Sequence, residues 1–266
     1  MASQFYPFQG KNYRQIKTPI NLFTNNIKTM RTISAQRNMI LGILFTLLAV
    51  LTFSLTALAD KQVRNPGSFS NLEVSGPIEI TLLQGNSESV VVHSGTGTIN
   101  NLITAVKGNT LEIKLEPGIK LNKGEHILVE VTFKSLNQID ISGAVKVLAP
   151  EPIKFGSIEL EGSGASSYEM TLSANLLKID LSGASSARLR GTAPKIEVEL
   201  SGASLLDAEN LTSSVCFIDC SGACNARVNA SDELNVDASG ASKVLYTGNP
   251  ARIRKDLSGA SMMNKL

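Results

Sequence analysis

From residue 139 onward the chain alternates apolar and polar positions and then breaks, again and again, on the same three small residues. The phrases are IDISGA, LEGSGA, IDLSGA, VELSGA, IDCSGA, VDASGA and KDLSGA, with serines at Ser142, Ser163, Ser182, Ser201, Ser221, Ser239 and Ser258. Their intervals of 18 to 21 residues match one coil of a solenoid and are too short for a helix pair or a propeller blade. In the third copy strict alternation places Ile179 and Leu181 inside a strand, with Asp180 and Ser182 outside. Gly183 then ends the strand, as expected where a corner needs positive φ or where neighbouring backbones crowd together.

A second alternation follows each corner. Three residues after the motif alanine stand Val147, Tyr168, Ala187, Leu206, Ala226 and Val244; five after stand Ala149, Met170, Leu189, Ala208, Val228 and Tyr246. Both columns are apolar and should face a core. Between them lie Leu148, Glu169, Arg188, Asp207, Arg227 and Leu245, whose middle members alternate in sign. Stacked in register about 4.8 Å apart, each of these charges would meet opposite neighbours, at about 0.2 to 1 kcal/mol per pair. The coil is thus two short strands, a small-residue corner, and a looser return such as Gly191-Thr192-Ala193-Pro194.

The expected fold is all-β, a parallel β-helix or β-solenoid over residues 136–266, right-handed by the general rule for parallel crossovers. Residues 60–135 are expected to form an N-terminal β cap. Its strands are expected at Asn71–Ser75, Ile78–Leu83, Ser89–His93, Thr110–Leu115 and Ile127–Phe133, with a short helix or turn at Ile99–Ile103.

Upstream lies an address. Met39–Ala59 is an uninterrupted apolar run preceded by basic residues and ending in Ala57-Leu58-Ala59, the pattern of a secretory signal peptide cleaved after Ala59. Met30 would open a conventional leader, so residues 30–59 are the expected signal peptide and residues 1–29 an upstream extension. The chain is then exported, periplasmic or at the cell surface of a bacterium, and meets the membrane only through its leader.

Composition narrows the partner. The net charge of +2 hides an asymmetry, because every Asp and Glu lies at or after Asp60. After position 59 there are 19 basic against 23 acidic residues, so the exported part has no electrostatic drive toward nucleic acid. His93 and His126 are isolated and read as ordinary strand residues. Cys216, Cys220 and Cys224 lack paired CxxC spacing and read as small structural residues rather than as a metal or redox site.

The stretch FSNLEVSGPIEITLLQGNSESVVVHSG, followed by NNLITAVKGNTLEIKL and then by IDISGA and its copies, resembles the auto-transporter adhesin head domain, or head GIN domain, family of bacterial envelope proteins. The resemblance covers about residues 62 to 262. It implies a β-helical fold and an exported location, and it carries over no catalytic residues. No outer-membrane barrel accompanies it in this sequence.

The candidate site is an acidic column: Asp140, Glu161, Asp180, Glu199, Asp219, Asp237 and Asp256. Neighbouring carboxylates at stacking distance repel by roughly 1 kcal/mol in water, so they must be hydrated, neutralised or bound. As a functional stripe they could hold Ca²⁺ or hydrogen-bond sugar hydroxyls; as a bland surface they keep the protein soluble and block lateral sheet association. No cofactor other than Ca²⁺ is suggested. The serine columns, at the motif positions and at Ser166, Ser185, Ser204, Ser242 and Ser261, lack both G-x-S-x-G and a nearby His, so they read as stacked hydroxyls or corner residues rather than nucleophiles. Gly95-Thr96-Gly97 and Gly162-Ser163-Gly164 complete no phosphate-binding motif and read as turns.

The leading expectation is a non-enzymatic envelope binding or structural module for an unknown glycan or envelope protein. A Ca²⁺-dependent polysaccharide lyase or glycosidase on a β-helix is one alternative, although coils of such even length leave little room for active-site loops. An oligomerising scaffold is the other, with one copy mating with another.

Overall fold

Alternation of this strictness can bury one face of each strand only by stacking coil on coil, and the computed structural model shows that arrangement. It describes residues 60–94, 98–119, 121 and 127–266. The expected leader, its cleavage site at Ala59, Gly95-Thr96-Gly97 and His126 lie outside the described residues.

The first strands are β1 (Asp60–Arg64), β2 (Asn71–Gly76), β3 (Ile78–Gln84), β4 (Ser89–Ser94), β5 (Leu102–Lys107), β6 (Thr110–Leu115) and β7 (Ile127–Phe133). The repeats supply β8 (Gln138–Gly143), β9 (Lys146–Lys154), β10 (Ser157–Gly162), β11 (Ser167–Ser173), β12 (Leu176–Leu181), β13 (Ser186–Thr192) and β14 (Lys195–Gly202). Last come β15 (Leu205–Gly222), β16 (Asn225–Ala238), β17 (Lys243–Thr247), β18 (Arg252–Leu257) and β19 (Met262–Lys265).

Two parallel stacks result. Strands β8, β10, β12 and β14, the second halves of β15 and β16, and β18 form one. Strands β9, β11, β13, the first halves of β15 and β16, β17 and β19 form the other. Register follows the SGA phrase, with Asp180 opposite both Glu161 and Glu199. Both expected inward columns face the core: Val147, Tyr168, Ala187, Leu206, Ala226 and Val244 are buried, as are Met170, Leu189, Ala208 and Val228. Ala149 and Tyr246 pack against the core while partly exposed.

Three details differ from expectation. The looser return is absent at β15 and β16, which bend through it as continuous strands with register shifts. Residues 98–101 form a 3-10 turn, but Leu102–Lys107 is a strand, β5, pairing antiparallel with β6. Its inner positions are half-buried and do not alternate, so periodicity could not mark it. Third, chain order is not stacking order. Strands β2 and β3 lie between β6–β7 on one side and β8–β9 on the other, all parallel. Beyond them β5 adds antiparallel to β6, β4 to β7, and β1 to β4.

The corner glycines answer to both causes at once. Gly183 has φ 71°, and a Cβ there would stand 2.7 Å from the carbonyl oxygen of Gly164 in the coil beneath. That carbonyl accepts the amide of Ala184 at 2.8 Å, so the crowding is the hydrogen bond that joins the coils.

Behind four of the corners runs a column of buried hydroxyls, from Ser166, Ser185, Ser204 and Ser242. Ser185 Oγ donates to the Ser182 carbonyl at 2.8 Å, Ser204 to Ser201 at 2.7 Å and Ser242 to Ser239 at 2.8 Å. Ser166 and Ser185 lie 3.1 Å apart, Oγ to Oγ. The hydroxyls of Ser185, Ser204 and Ser242 each close their corner on the carbonyl three residues back, the structural role expected of them. Cys224 takes one place in the column, with Sγ 3.1 Å from the Ser221 carbonyl.

All three cysteines are buried and unbridged. Burial, and then the neighbouring Cys220, pushes the Cys216 thiol up to about 12; burial, then Cys224 and Asp219, does the same for Cys220. Ellman's reagent should therefore find no reactive thiol in the folded chain and all three after denaturation. Rapid labelling under native conditions would contradict this packing.

Candidate functional site

Every first-stack strand points alternate positions outward, so the acidic residue two before each motif serine must project from the same face. The structure brings all seven predicted carboxylates into one row, with Asp140 paired to Glu161, Glu161 to Asp180, Asp180 to Glu199, Glu199 to Asp219, Asp219 to Asp237 and Asp237 to Asp256. Two further members escape the sequence reading. Glu73 lies opposite Asp140, and Glu112 lies opposite Glu73. Glu73 was legible, because LEVSGP is the same phrase with Pro77 in place of alanine, and Gly76 aligns with Gly143. Glu112 carries no SG signal and joins the row only through the pairing of β6 with β2.

The row is electrostatically uneven. Glu112 is held by Lys107 at 2.7 Å and Lys114 at 2.9 Å, and these hydrogen bonds lower its pKa. Among the described residues, none of the seven predicted carboxylates has an ion-pair partner within 4.0 Å. The second stack does the opposite. Arg188 lies between Glu169 at 3.7 Å and Asp207 at 3.5 Å, as the alternating signs require. Arg227 departs from the expected ladder and turns to Glu209 at 3.6 Å, where β15 and β16 lose register after Asp207.

At Asp140 burial comes first, then Glu161 and Glu73, in raising the carboxyl pKa. A carboxyl with a higher pKa in the folded state binds its proton more tightly there. Its contribution to stability is full below the unfolded pKa and is lost as pH rises through the raised one. Urea midpoints between about pH 3 and pH 7 should therefore fall with rising pH more for the unaltered chain than for Asp140→Asn. Parallel profiles would show that Asp140 is not strained by its setting.

Beside the row, toward the C-terminal coils, the first stack carries an open depression of about 960 Å³. Glu199, Asp219, Asp237 and Asp256 form one side, and Phe217 and Asn235 occupy the middle. Lys195 lies 2.6 Å from Glu197, which lowers the Glu197 pKa chiefly through that hydrogen bond, and its Nζ stands 5.7 Å from the Phe217 ring centroid. Asn235 donates to Glu233 at 2.8 Å, leaving its carbonyl oxygen as an acceptor. Phe217 also escapes the sequence reading, yet its place was available: it stands two residues before Asp219 and so faces outward by parity.

Among the described residues no group of three or more His, Cys, Asp or Glu side chains is disposed to hold a metal ion, and the row carries one carboxylate per coil. His93 Nε2 lies 3.1 Å from Glu130 on the strands β4 and β7, away from the row.

The same architecture occurs in solved bacterial structures. A putative adhesin from Bacteroides fragilis superposes with a TM-score of 0.74 at 18% identity, covering 77% of this chain and 96% of that one. A putative lipid binding protein from Parabacteroides distasonis gives 0.61 at 16% identity over 78% and 96%, and a putative adhesin from Parabacteroides merdae 0.55 at 16% over 78% and 95%. At such identities the likeness is one of fold. No curated protein matches the chain significantly. Residues 68–250, which hold the LEVSGP opening and six of the SGA corners, match the family model described as "Putative auto-transporter adhesin, head GIN domain", and the chain belongs to that family.

Proposed function

We propose that this chain is an exported, non-catalytic binding module of the bacterial envelope that holds a repeating polymer along its acidic face. The observation that carries the reading is the contrast between the two faces. The second-stack column pairs its charges through Arg188, as a surface selected for stability would, while the seven carboxylates from Asp140 to Asp256 keep a row of like charges with no ion-pair partner among the described residues, although Glu197 in the adjoining column is paired. A regular row of acceptors with one pitch suits a ligand that is itself periodic, because weak contacts repeated along it add up.

Membership in an adhesin-like family supports an envelope location. One structural neighbour is named for lipid binding, but an acidic face repels anionic headgroups, and a glycan is the better partner for it.

Two measurements test the proposal. The chain recovered from the envelope fraction should begin at Asp60, and it should retain envelope glycans without shortening them. A cytoplasmic chain with its leader intact, or release of oligosaccharides on incubation, would overturn it.

A further inference from the structure

The depression beside the acidic row has a composition that selects a ligand class. Five carboxylates and three cations line it, and Lys195 is already committed to Glu197. The polar groups left over are mostly acceptors: Glu199, Asp219, Asp237, Asp256 and the Asn235 carbonyl oxygen. Such a surface asks for a ligand rich in donors, and its negative edge excludes polyanions through like-charge repulsion.

Phe217 adds the second requirement. It is the one aromatic among the large apolar side chains exposed by the described residues, at 39%. The same outward column carries Glu159, Lys178, Glu197, Asn235 and Arg254, so a ring there is an exception to a polar rule. Lys195 Nζ stands over part of the ring at 5.7 Å, and the surface still exposed adds little packing and costs solubility. A flat ring with carboxylates about 4.8 Å apart beside it presents an apolar platform and a line of acceptors side by side.

Neutral sugars match both halves, since a pyranose offers an apolar face of C–H groups and a rim of hydroxyl donors. We infer that the Phe217 depression is a subsite for a neutral glycan chain lying along the solenoid axis, stacked on Phe217 and hydrogen-bonded to Asp219, Asp237 and Asn235. This inference rests on the glycan-binding reading above and assigns it a place and a charge class.

Calorimetry on the full chain with chito-, cello- and manno-oligosaccharides, oligogalacturonate and oligolysine tests it. At least one neutral series should bind saturably, with little dependence on salt, and oligogalacturonate should not. Phe217→Ala and Asp237→Asn should each weaken that binding about tenfold, while Arg188→Ala on the opposite face should leave it unchanged. All three positions are exposed, and unaltered melting curves would confirm intact folds. Neutral glycan binding that survives both substitutions would overturn the subsite and leave the envelope-glycan reading standing. Binding of oligolysine alone, lost in salt, would overturn the subsite in favour of a cationic partner. No binding of any neutral series would overturn the inference together with its premise.

Discussion

Alanine at Gly183 is expected to cost about 2 to 5 kcal/mol. About 1 to 2 kcal/mol of this comes from forcing a side chain into positive φ, and about 1 to 3 from pushing apart two coils already in contact. The structure allows the two contributions to be measured separately. Gly108 has φ 60°, close to that of Gly183, and open space within 4 Å of the place a Cβ would take, so Gly108→Ala should show the conformational cost alone. At Gly156 neither condition holds, and Gly156→Ala should shift the denaturation midpoint little or upward. If Gly183→Ala proves no worse than Gly108→Ala in denaturant titrations, the close approach of backbones is not what fixes glycine in the phrase. Because each coil rests only on its neighbours, damage at a central corner should also divide the stack, and melting by different probes should cease to coincide.

The second large effect concerns the one copy of the phrase that breaks its own rule. LEGSGA has Gly162 where the flanking coils have Ile141 and Leu181, and six residues later Tyr168 stands where they have Val147 and Ala187. The two departures are one exchange of volume across the core. A Cβ at Gly162 would lie 2.8 Å from Leu181 Cδ2 and 3.5 Å from the Tyr168 ring, so the missing side chain is the room the ring fills. Tyr168 is 2% exposed, and its hydroxyl donates to the Ile139 carbonyl at 2.8 Å. Tyr168→Ala should cost about 3 to 5 kcal/mol and Gly162→Leu about 1 to 3. The double variant copies the Leu181 and Ala187 pair of the next coil and should cost less than the sum by at least about 1 kcal/mol. Strict additivity would show that the two positions do not share a cavity.

Much of the site was legible because a parallel in-register stack turns a column of aligned sequence into a line on a surface. The aligned SGA phrases alone therefore place Asp180 beside Glu199. The same logic locates the buried serines and the Arg188 pairs. It fails where the alignment is disguised, as at Glu73 before Ser75-Gly76-Pro77, and at Phe217, whose column is otherwise polar and carries no repeated residue to flag it. It fails differently at β5, whose half-buried residues have no period to read.

By itself the sequence determined the coil. Apolar alternation, small corners and a period near 19 residues leave no other way to bury one face of so many short strands, and the acidic column follows from that geometry. Only the tertiary structure decided which coils neighbour which near the N-terminus. Strands β2, β6 and β8 carry interchangeable apolar patterns, so no local signal distinguishes the observed order, in which the earliest coil lies between two later ones. Tertiary packing likewise decided which charges are answered. Lysines from β6 and from the end of β5 reach Glu112 at one end of the row, and the carboxylates from Asp140 to Asp256 are left without a cation partner among the described residues. Alignment gives a side chain its line, and distances set by folding give it its partners.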